Sequence, residues 1–304
     1  MYERGAVSSR INDGLWAWKQ QENNNRMIAF QAGGRPPPAS GAVELAYYGC
    51  SCFRITTPAG LTILIDPWRN PPWGNWDWFL FDFPRTEVDI AISTHAHFDH
   101  DGLHAVSANM LLDRLVGTYA LADARITGIA DKHVSDSSHN AHDWAEMTRR
   151  LTNMETTPPN NWRSFDNSLV LLEVAGLKIL HWGDNRPNPP REVWDMIGQV
   201  DIALLPIDGS QHVLSYAQAG EVIDRLGACI VVPHHYYVWD VMTRGSTLLA
   251  ADAWVKSKAD ARWLGEGAVA LTPDYVKAQQ GKVLYFGENV AFAKPSTKAG
   301  KVGA

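Results

Sequence analysis

From Val43 onward, short apolar runs alternate with breaks marked by Gly, Pro and Asp, the pattern of strands joined by turns. VELAYYG, CFRITTPAG and LTILIDPW predict three strands, and DIAIS predicts the end of a fourth, buried one. LHAVSANMLLDRLVG is apolar at Leu103, Val106, Met110, Leu111 and Leu115, and this spacing predicts a helix that stops at Gly117. Short strands are expected from Thr118 to His133, and SLVLLEVAGLKIL predicts two more across an Ala-Gly turn. A helix around Val193 to Ile197 precedes the buried strand DIALLP, then the amphipathic helix SYAQAGEVIDRLG and the strand ACIVVPHHY. VALTPDYV and KVLYFGENVAF predict edge strands that close the domain. Strands interleaved with helices in this way predict an α/β fold.

The flanks have a different texture. Residues 1–40 hold the polar segment KQQENNNR and the Gly/Pro run AGGRPPPASG, an N-terminal arm and linker. Trp16 and Trp18 predict that the arm packs on its own domain or on a partner subunit, so a homodimer is expected. The main domain spans 41–293, interrupted by a polar insertion over 134–166, and 294–304 reads as a flexible tail. An apolar content of 45% beside 20% charged residues predicts a globular protein with a sizeable core. The net charge of −6 and the lack of a basic cluster argue against a nucleic-acid groove. No run approaches the ~20 apolar residues of a membrane span, and no signal peptide is seen, so a cytoplasmic protein is expected. Cys50 and Cys52, two apart in an expected strand, are read as reduced core residues; with Cys229 they are too few for a disulfide framework.

The chemistry concentrates after the fourth predicted strand. STHAHFDHDG places His95, His97, Asp99 and His100 within six residues. On backbone that stays extended, His95 and His97 project to one side, and Asp99 and His100 approach from the following turn. Just upstream, residues 67–84 carry seven aromatics in eighteen residues (Trp68, Trp73, Trp76, Trp78, Phe79, Phe81 and Phe83). Such a loop predicts an apolar substrate wall, a subunit contact or a cover over the domain edge. Asp66, in the I-D-P at the end of the third strand, is either a group that orients the motif or a simple turn residue. His104 is read as a neighbour of the site, and His212 as a residue facing the pocket.

H-x-H-x-D-H after a buried strand resembles the signature of the metallo-β-lactamase superfamily, with agreement in order and spacing from about Val43 to Phe292. The resemblance implies a four-layer αββα sandwich with a one- or two-metal site at its edge. It implies His95, His97 and a third histidine on one metal, and Asp99, His100 and His235 on the other. The Gly-Asp of HWGDN implies Asp184 as the bridging carboxylate, with His181 an additional or supporting ligand. His133 best fits the third histidine, in a T-G-I-x-x-x-H context, while His139 and His142 compete for the role. The order strand-P-I-x-G, helix, strand-V-P-x-H-Y resembles the ascorbate-6-phosphate lactonase-like branch. His235 is the ligand that branch implies, although His234 stands where an apolar residue is usual.

Imidazole and carboxylate ligands suit Zn²⁺, with Mn²⁺ or Fe²⁺ also compatible. A zinc-bound hydroxide attacking an electrophilic centre is the expected chemistry, with Asp99 or a nearby histidine handling the proton. With one metal, His97 or His95 is freed as acid/base. The substrate is expected to be a small apolar or aromatic molecule set against Trp73, Trp76, Trp78, Tyr236 and Trp239. The alternatives are a hydrolytic dehalogenase of the chlorothalonil type, a lactonase or phosphoester hydrolase, and a non-catalytic metal- or partner-binding protein. A metal-dependent oxidoreductase is disfavoured, because the flavin domain of such relatives is missing here.

Overall fold

The structure is a computed structural model that describes residues 41–71, 77–134, 166–279 and 281–295. The N-terminal arm, residues 72–76 with Trp73 and Trp76, the insertion with His139 and His142, and the end of the tail lie outside the described residues.

The chain opens with an antiparallel meander of β1 (Val43–Tyr47), β2 (Phe53–Thr56) and β3 (Thr62–Ile65). β4 (Thr86–Ser93) and β5 (Val106–Asp113) then add in parallel. Next come β6 (Gly117–Leu121), β7 (Ala124–Asp131), β8 (Asn167–Val174) and β9 (Leu177–His181), each antiparallel to the one before. The last stretch interleaves α1 (Arg191–Ile197), β10 (Ile202–Pro206), α2 (Tyr216–Leu226), β11 (Ile230–His234) and α3 (Asp252–Lys256). It closes with β12 (Ala261–Trp263), β13 (Ala268–Leu271), α4 (Pro273–Ala278) and β14 (Lys282–Tyr285). Two sheets result, ordered β13-β1-β2-β3-β4-β5 and β12-β14-β11-β10-β9-β8-β7-β6.

The sheets share one core, in which Tyr47 of β1 stacks on Phe286, just past β14, with ring centroids 5.4 Å apart. Every residue of β10 and β11 is buried, as expected for parallel strands covered on both faces. The β8–β9 hairpin closes over Ala175 and Gly176, both at positive φ, so the expected Ala-Gly turn is a two-residue one. α2 starts on a capping box between Ser215 and Gln218 and stops at Gly227 in the left-handed region.

Three expectations need correction. The helix expected over Leu103–Leu115 is a 3₁₀ turn at Gly102–Ala105 followed by β5, along which Val106, Ala108, Met110 and Leu112 face inward in alternation. That period of two fits the sheet edge beside β4; only Val106 and Met110 belong to both patterns, and Leu111 of the helical spacing is exposed. VALTPDYV is a strand only as far as Leu271; Thr272 then caps α4, with Pro273 at its first position. β14 lies between β12 and β11 and is an interior strand.

β3 and β4 run parallel in one sheet, and β7, β9, β10 and β11 share a direction in the other. Residues just past the carboxyl ends of β3, β4, β7, β9 and β11 gather at one edge of the sandwich, the location at which open α/β sheets build their sites.

Candidate metal centre

Two groups of ligand atoms meet at this edge. His95 and His97 follow β4, and His133 follows β7; their nearest ring nitrogens all lie within 4.8 Å of one another. His95 Nε2 is 3.1 Å from His97 Nδ1. On the other side, His235 Nε2 is 3.1 Å from Asp99 Oδ2, and His100 Nε2 is 3.6 Å from the same oxygen. Asp184 stands between them. Its Oδ2 is 3.4 Å from His235 Nε2, 3.7 Å from His133 Nε2 and 4.0 Å from His95 Nε2, while its Oδ1 is 3.4 Å from His100 Nε2.

These separations suit a pair of ions. Tetrahedral N/O ligands about 2.0–2.2 Å from zinc stand about 3.4 Å apart. His100 Nε2 and Asp184 Oδ1 are buried without a hydrogen-bond partner, which is costly unless a cation fills the gap between them. Imidazole and carboxylate donors fit a divalent ion.

The outer atoms of the rings are held from behind. Asp66 Oδ2 lies 2.7 Å from His100 Nδ1 and accepts from the Thr94 hydroxyl at 2.8 Å, while Asp66 Oδ1 accepts from the Thr94 amide. Because the Thr94 hydroxyl donates to Asp66, its oxygen accepts from His95 Nδ1 at 3.1 Å. Both rings thereby present Nε2 to the centre, so Asp66 orients the motif and is more than a turn residue. Asp131, at the end of β7, takes Arg186 through both carboxylate oxygens and accepts from Asn185. The Val134 amide donates to the Asp184 carbonyl. The His133 and Asp184 segments are thus fastened side by side. Gly183, at φ +57°, makes the close approach possible: a Cβ there would sit 2.9 Å from Thr94 Oγ1.

Neither His181 nor His234 belongs to either ligand group. The Gly183 amide donates to His181 Nδ1, which leaves Nε2–H to donate to the Ser51 carbonyl, so both ring nitrogens of His181 are engaged. His234 stacks on His181 at 4.8 Å and meets Ser51 Oγ through Nδ1. His104 is exposed on the 3₁₀ turn and belongs to neither ligand group.

The charge pattern differs across the centre. Burial and the neighbouring imidazoles hold His95 well below the usual histidine value. His97, although one face is open, is pushed down to about 4 by desolvation and by His133. Burial disfavours charge on His100 and His235 too, but Asp184 and Asp99 outweigh it and hold both above the ordinary value. Burial likewise opposes ionisation of Asp99 and Asp184, and the same two histidines overcome it, drawing both carboxyls below the usual range.

The expected substrate residues divide. Trp78 is buried with its ring edge-on to Phe98 at 5.0 Å and to His212 at 6.3 Å, and the His212 ring lies 5.5 Å from that of His235. Trp78, Phe98 and His212 therefore form an aromatic rim beside Asp99. Tyr236 is corrected to a core residue: it packs on Tyr47 and Tyr285 and donates to the Gly287 carbonyl, because the chain turns inward after His235. Trp239 is exposed, with Tyr237 and the Arg244 guanidinium as its ring partners. The rest of the aromatic loop is largely a cover. Trp68 stacks on Phe79 at 4.1 Å and meets Phe83 edge-on, and Asn70 ties Trp78 and Phe79 down through their amides.

Cys50 is buried in the core as expected, but not where a strand would place it. It lies in the β1–β2 turn at φ 52°, not in a strand, and its Sγ is 4.0 Å from Asp99 Oδ2. The three cysteines are free thiols. Thr94 and Asp131 were also missed, and short polar residues where a strand meets a ligand were the signal for both.

Comparison with known proteins agrees with this geometry. A family profile described as the beta-lactamase superfamily domain matches residues 44–235. A UPF0173 metal-dependent hydrolase of Rubrobacter xylanophilus is 28% identical over 219 residues, covering 64% of this chain and 82% of the relative. Another from Anaeromyxobacter dehalogenans is 24% identical over 246 residues, covering 77% and 88%. Among solved structures, a zinc-dependent hydrolase of the metallo-beta-lactamase superfamily from Thermotoga maritima, so described on a putative basis, aligns at a TM-score of 0.55 and 22% identity, over 80% of this chain and 97% of its own. With the profile spanning both arms of the site, from β1 to His235, the chain belongs to the beta-lactamase superfamily.

Proposed function

We propose that the protein is a metal-dependent hydrolase with a dinuclear site, acting on a small apolar or aromatic electrophile. The observation that carries the reading is the convergence of His95, His97 and His133 on one side, and Asp99, His100 and His235 on the other, around Asp184. A divalent ion bound there, zinc in this reading, supplies Lewis acidity and lowers the pKa of a coordinated water to about 7. The chain's own residues do the rest. Asp99, ionised and fixed by His235, is the base that takes the proton of the attacking water and returns it to the leaving group. His97, open on one face, is the proton carrier if only one ion is retained.

Trp78 and Phe98 favour an apolar substrate held edge-on at the rim. Two cations beside the motifs are already occupied, Arg69 by Asp101 and Arg186 by Asp131, which weakens the phosphoester alternative. The relatives named metal-dependent hydrolases support the reaction class. The test is elemental analysis of protein purified without added metal, followed by a screen of lactones, phosphoesters and halogenated aromatics, chlorothalonil among them. About two ions per chain and metal-dependent turnover of an apolar ester or aryl halide are expected. A protein that binds no metal, or binds it without turning over any of these classes, would return the reading to a binding protein.

A further inference from the structure

The second half of the centre holds a donor that the sequence reading placed in the core. Cys50 Sγ, Asp99 Oδ2 and His235 Nε2 all lie within 4.8 Å of one another, so the thiol faces the same point as the carboxylate and the imidazole. The 4.0 Å between Sγ and Asp99 Oδ2 is long for any but a weak hydrogen bond. It is close to the ~3.6 Å by which a sulfur at about 2.3 Å and an oxygen at about 2.1 Å from one zinc ion stand apart. A second observation points to the same place: His100 Nε2 is buried, has no hydrogen-bond partner, and lies 3.6 Å from that same Asp99 oxygen.

We infer that Cys50 is a thiolate ligand of the second metal position, which makes that position selective for a soft divalent ion such as zinc. The inference rests on the metal-centre reading above and deepens it.

The backbone holds the thiol in place. The His235 amide and the Tyr47 hydroxyl both donate to the Cys50 carbonyl, at 2.8 and 3.0 Å, tying the turn to the strand end that carries the neighbouring donor. In the metal-free chain, burial and the Asp99 carboxylate push the thiol up, so it waits protonated. On metal uptake the S–H bond breaks, a metal–sulfur bond forms, and the proton leaves to solvent. Thiolate ligation adds to the preference for zinc, cadmium or cobalt over manganese that an all-nitrogen group such as His95, His97 and His133 already has.

The deciding measurement is X-ray absorption at the zinc edge of the zinc-loaded wild-type protein, which requires no variant. A sulfur shell at about 2.3 Å is expected, at half occupancy per zinc if both positions are filled. In cobalt-substituted protein, an intense thiolate-to-cobalt band in the near ultraviolet should be lost in Cys50→Ser and kept in Cys52→Ser. Cys50→Ser should also lower the preference for zinc over manganese by about tenfold or more. A zinc shell of nitrogen and oxygen alone, or a cobalt spectrum indifferent to Cys50→Ser, overturns the inference and leaves the dinuclear hydrolase standing. Absence of any metal uptake overturns both.

Discussion

The two halves of the centre are built from different physics. The His95, His97 and His133 half is open at His97, and His95 and His97 are held neutral by burial and by crowding among the imidazoles. The half made of Asp99, His100 and His235 is buried, and there the Asp184 and Asp99 carboxylates hold the two histidines above their ordinary value. In the proposed dinuclear site the first position is expected to fill first, and the second to depend more on pH and on ligand chemistry.

Asp184 belongs to both halves, so its loss should erase the distinction. Asp184→Ala is expected to lower metal content by more than half and to abolish detectable hydrolysis, checked by elemental analysis and a turnover assay on one preparation. Retention of both ions would remove the bridging role. His133→Ala comes next: it should empty the first position and spare the second, whereas His139→Ala and His142→Ala should leave metal content near the wild-type level. The reverse order would sink the choice of third histidine.

Asp66→Asn should weaken both positions by about 10–100-fold, because the carboxylate supports His100 directly and His95 through Thr94. Thr94→Val removes only the second branch, so its effect should fall mainly on the first position; competition with a chromogenic chelator separates the two. Protons give a gentler lever. The raised values of His100 and His235 mean that affinity at the second position falls as pH is lowered, more steeply than at the first. In chelated protein the same two histidines contribute stability at low pH that is lost as pH rises through their raised values. Asp99 and Asp184, drawn below the usual range, contribute stability above it that is lost on acidification. Thermal midpoints across pH 5–9, with and without metal, read the histidine sign, and extending the scan below about pH 4 reads the carboxylates.

The smallest effect lies outside the ligands. Phe98→Ala or Trp78→Ala should raise KM for an aromatic substrate about tenfold, the order expected for uncovering one large apolar ring, with metal content unchanged.

Much of this contrast was legible before any coordinates. His95, His97, Asp99 and His100 lie close in sequence, and a buried strand running into them limits where they point. Asp184 and His235 announce themselves at the ends of apolar runs. Its strand brings His133 to the site, while His139 and His142 lie outside the described residues. Residues whose surroundings come from distant parts of the chain were harder. Cys50 is the core residue it looked like, but its approach to Asp99 depends on turn backbone at positive φ, which has no simple sequence signal. Tyr236 looked like a substrate contact because it follows a ligand, yet the chain turns inward there onto Tyr47 and Tyr285. Leu103–Leu115 failed for another reason: Val106 and Met110 satisfy both periods, Ala108 and Leu112 complete the period of two, and the edge of β4 selected the strand.

The candidate ligands also follow strands of both sheets: Cys50, Asp99 and His100 those of the six-stranded one, His133, Asp184 and His235 those of the eight-stranded one. An ion held among them is a rivet through the seam of the sandwich. Pulled apart by force across that seam, the loaded protein should yield in two events, with the sheets peeling from the far edge first and the riveted edge giving way last, at a load set by the metal.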